Sequence, residues 1–201
     1  FLDDLQWIDP ASLHLAQHCA QVVGTDLSDR ALAFARFNAA LNGIDLELRQ
    51  GSMLDPVAGQ RFDLVVSNPP FVITPRDGQV PLYEYRDGGL VGDGVVEALV
   101  RQVGEHLEPG GVAQFLGNWE IGAGADWRDR WRGWLADTGL DAWVIQRDVQ
   151  DPAQYAELWA RDAGARSGAS YERMYAPGWP TSPTAASRGS ASGSSPSSAQ
   201  P

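Results

Sequence analysis

A chain of 201 residues that is 43% hydrophobic can bury one sizeable core, and one domain is the natural count. A formal net charge of −11 excludes a broad nucleic-acid or anionic-membrane surface, because phosphate binding needs Lys/Arg patches and none stands out, although a small, locally basic groove stays compatible with it. The single Cys19 excludes an intrachain disulfide framework and fits a reducing cytoplasm, the expected location. No run is long and apolar enough to span a bilayer and no signal peptide is visible, while the opening Phe1 in place of Met fits a piece of a longer protein.

Taken in order, Phe1–Asp4 reads as the end of a first strand. Ala11–Ala20 predicts a short helix and Gln21–Asp26 a second strand ending in an acid. Ser28 is placed to cap a helix running to Asn42, with Asp29 in its first turn and Gly43 past its end. Ala31, Leu32, Phe34, Ala35 and Ala39 recur along it at helical spacing. Asp45–Gln50 alternates Leu46 and Leu48 with polar residues, as an outer strand does. Strands alternating with helices in this way imply a parallel, doubly wound α/β sheet.

Arg61-Phe62-Asp63-Leu64-Val65-Val66-Ser67 then forms an apolar run of the fully buried kind, since Leu64, Val65 and Val66 leave no polar face. It stops at Pro69 and Pro70, which cannot donate to a sheet ladder, and Pro69 pushes Asn68 into an extended conformation. An amide side chain is thereby held at the carboxyl end of a central strand, the edge where open α/β sheets bind ligands. The Asn68 oxygen and the Pro69 carbonyl can accept both hydrogens of a planar –NH2 group, and Phe71 can lie against its flat face.

Past this point, Tyr83–Gly94 is a long, polar, Gly-rich segment, read as a substrate lid. Val95–Leu107 predicts a helix, Pro109-Gly110-Gly111 a tight turn, and Val112–Leu116 a strand. Trp127, Trp131 and Trp134 fall on one helical face and are assigned to the core rather than to a stacking platform. Ala142–Val149 predicts a further strand and Gln154–Ala163 a further helix. His14, His18 and His106 stand singly, without metal-ligand spacing, and no nucleophile has a paired base.

Asn68-Pro69-Pro70-Phe71 resembles motif IV of class I S-adenosylmethionine-dependent amino-methyltransferases. These include the glutamine N5-methyltransferases of peptide release factors and the adenine-N6 or guanine-N2 methyltransferases of nucleic acids. The resemblance implies a Rossmann-like methyltransferase domain over residues 1–175, with S-adenosylmethionine as cofactor. It assigns Asn68, Pro69, Pro70 and Phe71 to the acceptor. Asp26, 23 residues after Asp3 at the end of the next strand, takes the place of the acid that binds the cofactor ribose. Asp3, Leu27, Ser52 and Met53, with Asn68, complete the implied cofactor contacts. The helix, Pro-Gly-Gly, strand succession is also a recurring feature of that family. Methyl transfer from a sulfonium needs no nucleophilic residue, because alignment of donor and acceptor supplies most of the rate.

The favoured acceptor is a protein glutamine, on account of the negative charge and the Tyr-Arg-Asp-Gly-Gly loop. An RNA or DNA base amino group is the first alternative, and an inactive methyltransferase-like binding module the second. No metal or membrane partner is expected. Two places depart from the family pattern. Ser52 stands where an acid is usual, and Leu2–Pro10 contains no glycine, with Trp7 and Pro10 where small residues belong. Residues 176–201, rich in Ser, Ala, Pro and Gly, predict a disordered tail, so the sheet is expected to be incomplete at both ends. Reading the tail codons from their third base turns each TCN serine into Val, Leu, Ile or Phe. Ser190, Ser192 and Ser194 then become an alternating apolar series, which suggests a frame slip near Gly178 or Trp179.

Overall fold

The computed structural model describes residues 2–3, 15–73, 90, 92–162 and 184–193. Its elements are β1 (Leu2–Asp3), β2 (Val23–Asp26), α1 (Asp29–Asn42), β3 (Glu47–Gln50), β4 (Phe62–Ser67), α2 (Gly94–Gln102), β5 (Leu107–Glu120), α3 (Trp127–Leu135), β6 (Leu140–Gln150), α4 (Pro152–Asp162) and β7 (Thr184–Gly193). The strands form one sheet in the order β3-β2-β1-β4-β5-β7-β6. The first five run parallel, and β7 lies antiparallel between β5 and β6. The order steps outward from β1 to β3 on one side and from β4 on the other. The carboxyl ends of β1 and β4 therefore sit side by side at the point where the winding reverses.

α1 forms where the sequence predicts it. Ala31 N–H donates to Ser28 Oγ at 3.5 Å, and Gly43, at φ 65°, returns its N–H to the carbonyls of Ala39 and Ala40. Its buried stripe is Ala31, Leu32, Ala35 and Ala39, mostly small side chains that bring the helix close to the sheet. Phe34, grouped with that stripe by spacing, lies on the outer face at 48% exposure. β4 is also less enclosed than its run of aliphatics suggests. Val65 is buried at 1%, but Leu64 and Val66 are only partly so.

The expected single helix from Val95 to Leu107 is divided, with α2 giving way to a 3-10 turn over Val103–His106. Pro109-Gly110-Gly111 does not precede β5 but lies within it. The ladder steps from Phe62↔Leu107 to Leu64↔Val112, so the extra residues are extruded beside β4. Gly111 makes that approach possible, since a Cβ there would stand 2.8 Å from the Phe62 carbonyl oxygen and 2.9 Å from that of Glu108. The main core joins Val65, Val96, Val103, Leu107, Phe115 and Trp119 to the tryptophan face of α3. Trp119 packs edge-on against Trp131 at 5.2 Å and tilted against Trp127 at 5.6 Å, and Trp131 meets Trp134 at 5.1 Å. The assignment of these tryptophans to the core agrees with that packing.

The composition predicts no order past residue 176, yet Thr184–Gly193 forms β7 and supplies the last antiparallel pair of the sheet. The physical reason is the ladder. β7 is matched residue by residue from Thr184↔Glu120 to Ser192↔Val112 on one side, and from Thr184↔Gln150 to Gly193↔Leu140 on the other, where the register shifts between Gln146 and Asp148. Backbone pairing on both edges orders a segment whose side chains alone would not. Ser190 and Ser192 of the alternating series lie inside β7, whereas Ser194 and the rest of the tail lie outside the described residues, as do residues 176–183. Among the described residues, no helix is long and apolar enough to cross a membrane.

Candidate active site

The sheet register gathers the cofactor candidates at one edge. Asp3 pairs with Thr25 and Leu2 with both Gly24 and Val66, so the ends of β2, β1 and β4 are level. Asp26 and Gln50 are register partners, and Gly51 N–H donates to the Asp26 carbonyl at 3.0 Å. The fully buried Thr25 hydroxyl donates to the Met53 carbonyl at 2.8 Å, and Gln50 Nε2 to the Leu27 carbonyl at 3.3 Å. The turn carrying Ser52 and Met53 is thus tied to the strand end carrying Asp26 and Leu27. It is tightly folded, with Met53 at φ 47° and Gly51 passing so close to Pro56 that a Cβ would stand 2.5 Å from its Cγ.

Asp26 Oδ1 accepts from Ser28 N–H at 2.7 Å, which fixes the carboxylate at the start of α1. A fixed acid beside an exposed serine and a half-buried methionine suits the ribose and adenine half of S-adenosylmethionine. The chemistry of this donor set therefore fits the cofactor at that half. The glycine-free stretch at 4–10 lies outside the described residues.

The acceptor candidates follow directly on β4. Ser67 is buried at 3%, Asn68 is exposed, and Pro69 is among the most deeply buried side chains, so Asn68 projects from between two anchored neighbours. Pro70 and Phe71 are partly buried. Phe71 packs against both the main core and a small cluster of Val72, Ile73, Tyr155 and Ala156. The lid read at Tyr83–Gly94 falls outside the described residues except for Leu90 and residues 92–94.

Two groups next to this edge escaped the sequence reading. One is Asp93, buried at 4%. It stands at the cap position of α2, but its carboxylate points across the fold instead. It accepts from Glu120 N–H at 3.0 Å and from Arg130 Nη2 at 2.6 Å, and it lies 2.5 Å from Arg130 Nε, whose N–H is not aimed at it. The beginning of α2 is thereby bolted to the end of β5 and to α3. Burial, and then the Asp93 charge, raise the Glu120 carboxyl above its ordinary value, while Arg130 at 4.0 Å opposes them. Burial lowers the Arg130 guanidinium, but the Asp93 hydrogen bond and the charges of Asp93, Glu120 and Glu97 outweigh it and raise the group overall. The Gly-Asp-Gly step ahead of a predicted helix was the available signal. The other group, Asn118 and Tyr155, carries no local sequence signal because the two are 37 residues apart.

Comparison with known proteins identifies the family and the fold. The family model described as methyltransferase small domain matches residues 10–126. A release factor glutamine methyltransferase of Geobacter sulfurreducens is 41% identical over 99 residues, covering 46% of this chain and 35% of its own. One from Xylella fastidiosa is 33% identical over 138 residues, covering 65% and 48%. A ribosomal protein uL3 glutamine methyltransferase of Bradyrhizobium diazoefficiens is 34% identical over 101 residues, covering 46% and 31%. The matched stretches thus span a third to a half of these relatives.

Among solved structures, the fold is shared with an rRNA methylase from Streptococcus thermophilus and with the StiE O-MT. The first has a TM-score of 0.52 at 14% identity, covering 96% of this chain and 87% of that one. The second has a TM-score of 0.55 at 15% identity, covering 98% and 68%. With more than half of its length matched by the family model, the chain belongs to the methyltransferase small domain family and is by lineage a class I S-adenosylmethionine-dependent methyltransferase.

Proposed function

We propose that this domain methylates the side-chain amide nitrogen of a protein glutamine, acting in the cytoplasm. The observation that carries the reading is Asn68, exposed between buried Ser67 and Pro69 at the end of β4, on the same sheet edge as Asp26 and Met53. The Asn68 oxygen and the Pro69 carbonyl accept the two amide hydrogens, which fixes the nitrogen and draws positive charge away from it. Phe71 lies against the flat amide face. Asp26 holds the ribose hydroxyls, with Asp3, Leu27, Ser52 and Met53 completing that side of the site. The cofactor, when bound, supplies an electrophilic methyl group on a sulfonium. Relatives named as glutamine methyltransferases of a release factor and of a ribosomal protein support a protein acceptor. The net charge of −11 favours it over a polyanion.

A second reading, a methyltransferase-like binding module, is favoured by the absence of glycine from Leu2 to Pro10. Isothermal titration of the full chain with S-adenosylmethionine separates the two. Saturable binding, followed by transfer of labelled methyl to a glutamine peptide but not to its glutamate counterpart, supports the enzyme. Absence of binding leaves the module.

A further inference from the structure

The chain leaving β4 loses two backbone donors at once. Pro69 and Pro70 carry no N–H, so the next backbone donors are those of Phe71, Val72 and Ile73. Ile73 is buried at 3%, and its N–H donates at 2.9 Å to the hydroxyl of Tyr155, 82 residues further along. Tyr155 is itself buried at 2%, and its hydroxyl also accepts from Asn118 Nδ2 at 3.1 Å. Asn118, buried at 2%, lies near the carboxyl end of β5, the strand beside β4. One phenolic oxygen thus joins the exit of β4, the end of β5 and the first turns of α4.

Its own position is set firmly. Asp151 Oδ1 accepts from Ala153 and Gln154 N–H at 2.8 and 3.0 Å, and the Asp151 carbonyl accepts from Tyr155 N–H at 3.0 Å. Trp159 packs edge-on against the Tyr155 ring at 6.0 Å. Val72, Ile73 and Ala156 close the cluster, with Phe71 against its rim.

We propose that Tyr155 is a positioning residue for the acceptor site, its hydroxyl fixing the backbone two residues past Phe71 and so holding Asn68–Phe71 in one conformation. The role rests on the reading of Asn68–Phe71 as the amide-binding element. Hydrogen bonding, rather than ring packing, carries the effect, because a buried amide without an acceptor is strongly disfavoured and its segment shifts to find another. Asn118 aims the hydroxyl and ties it to the neighbouring strand.

Amide exchange and side-chain NMR of the full chain test this without requiring activity. In the wild type, Ile73 N–H should exchange as slowly as the core strand amides of Val65 and Ala113, and Asn68 should give one sharp side-chain NH2 pair. Tyr155→Phe, which keeps the ring, should speed Ile73 exchange by about tenfold or more relative to Val65 and broaden or split the Asn68 pair. Ala156→Gly, which weakens the same helix but removes no polar contact, should leave both signals in place. In methyl transfer, Tyr155→Phe should lower kcat with S-adenosylmethionine affinity changed by less than about twofold. Loop-like exchange of Ile73 in the wild type overturns the proposal. So does an unchanged Asn68 pair in Tyr155→Phe, or an equal effect of Ala156→Gly. A wild type that binds no cofactor and transfers no methyl group would refute the functional reading, while the NMR comparison decides Tyr155 by itself.

Discussion

Replacing Asp93 by alanine should loosen the edge of the site by a calculable amount. The carboxylate is 4% exposed and satisfies two partners, Glu120 N–H at 3.0 Å and Arg130 Nη2 at 2.6 Å. Leaving the backbone donor without an acceptor costs about 1–3 kcal/mol. Removing a partner from a buried ion pair costs about 3–5 kcal/mol, whereas an exposed pair is worth about 0–1. The Arg130 side chain is 37% exposed and can turn to water, which places its share near 1 kcal/mol. Asp93→Ala should therefore lower unfolding stability by about 2–4 kcal/mol. Urea denaturation of wild type, Asp93→Ala, Arg130→Ala and the double variant measures it, with a coupling energy of about 1 kcal/mol expected between the two positions. A change below about 0.5 kcal/mol, or no coupling, would refute the view that this pair bolts α2 to β5 and α3.

Glu120 gives a pH-dependent counterpart. Its carboxyl is raised, so its protonated form favours folding, and that contribution is lost as pH rises from the ordinary carboxylate range through the raised value. Glu120→Gln should match wild type in acid and gain on it in thermal stability toward neutral pH. A constant difference across that range would count against the burial argument. Asp26→Ala should weaken S-adenosylmethionine binding by about 1–3 kcal/mol, measured by titration calorimetry, and equal affinity would move the cofactor elsewhere. Restoring the shifted frame after Gly178 should raise the melting temperature by several degrees, since β-branched residues favour strands by up to about 1 kcal/mol each. Ser190 is register partner to Trp143, which is 72% exposed. No gain on restoring the frame would remove that explanation of the tail.

Much of the sheet edge was legible because local rules coincide there. Ser28 and Gly43 mark both ends of α1, Asp26 ends an apolar run, and two prolines end β4. Each of these signals acts within a few residues of its effect. β7 was not legible for the opposite reason. Its order comes from ladders to β5 and β6, strands far away in sequence, while its own Ser, Ala and Gly residues carry no strand preference. Pro-Gly-Gly reads as a tight turn into the strand, and only the neighbouring Phe62 carbonyl shows that Gly111 lies in a bulge of β5 and what the glycine accommodates. Asp93 reads only as part of the polar, Gly-rich lid segment because its partners, Glu120 and Arg130, are 27 and 37 residues downstream. Tyr155 and Asn118 followed the same rule. Long-range polar contacts leave no periodicity for a sequence to display.

The central claim, that Asn68 orients a planar amide for methylation, is tested most directly by Asn68→Ala in paired measurements of cofactor affinity and methyl transfer. Titration with S-adenosylmethionine should give nearly the wild-type affinity, because Asp26 and the Ser52–Met53 turn, the proposed ribose and adenine contacts, are untouched. Transfer to a glutamine peptide should fall at least about tenfold, the loss of one oriented hydrogen bond worth about 1.4 kcal/mol. Full retention of transfer in Asn68→Ala, in a chain that methylates the peptide, would contradict the account.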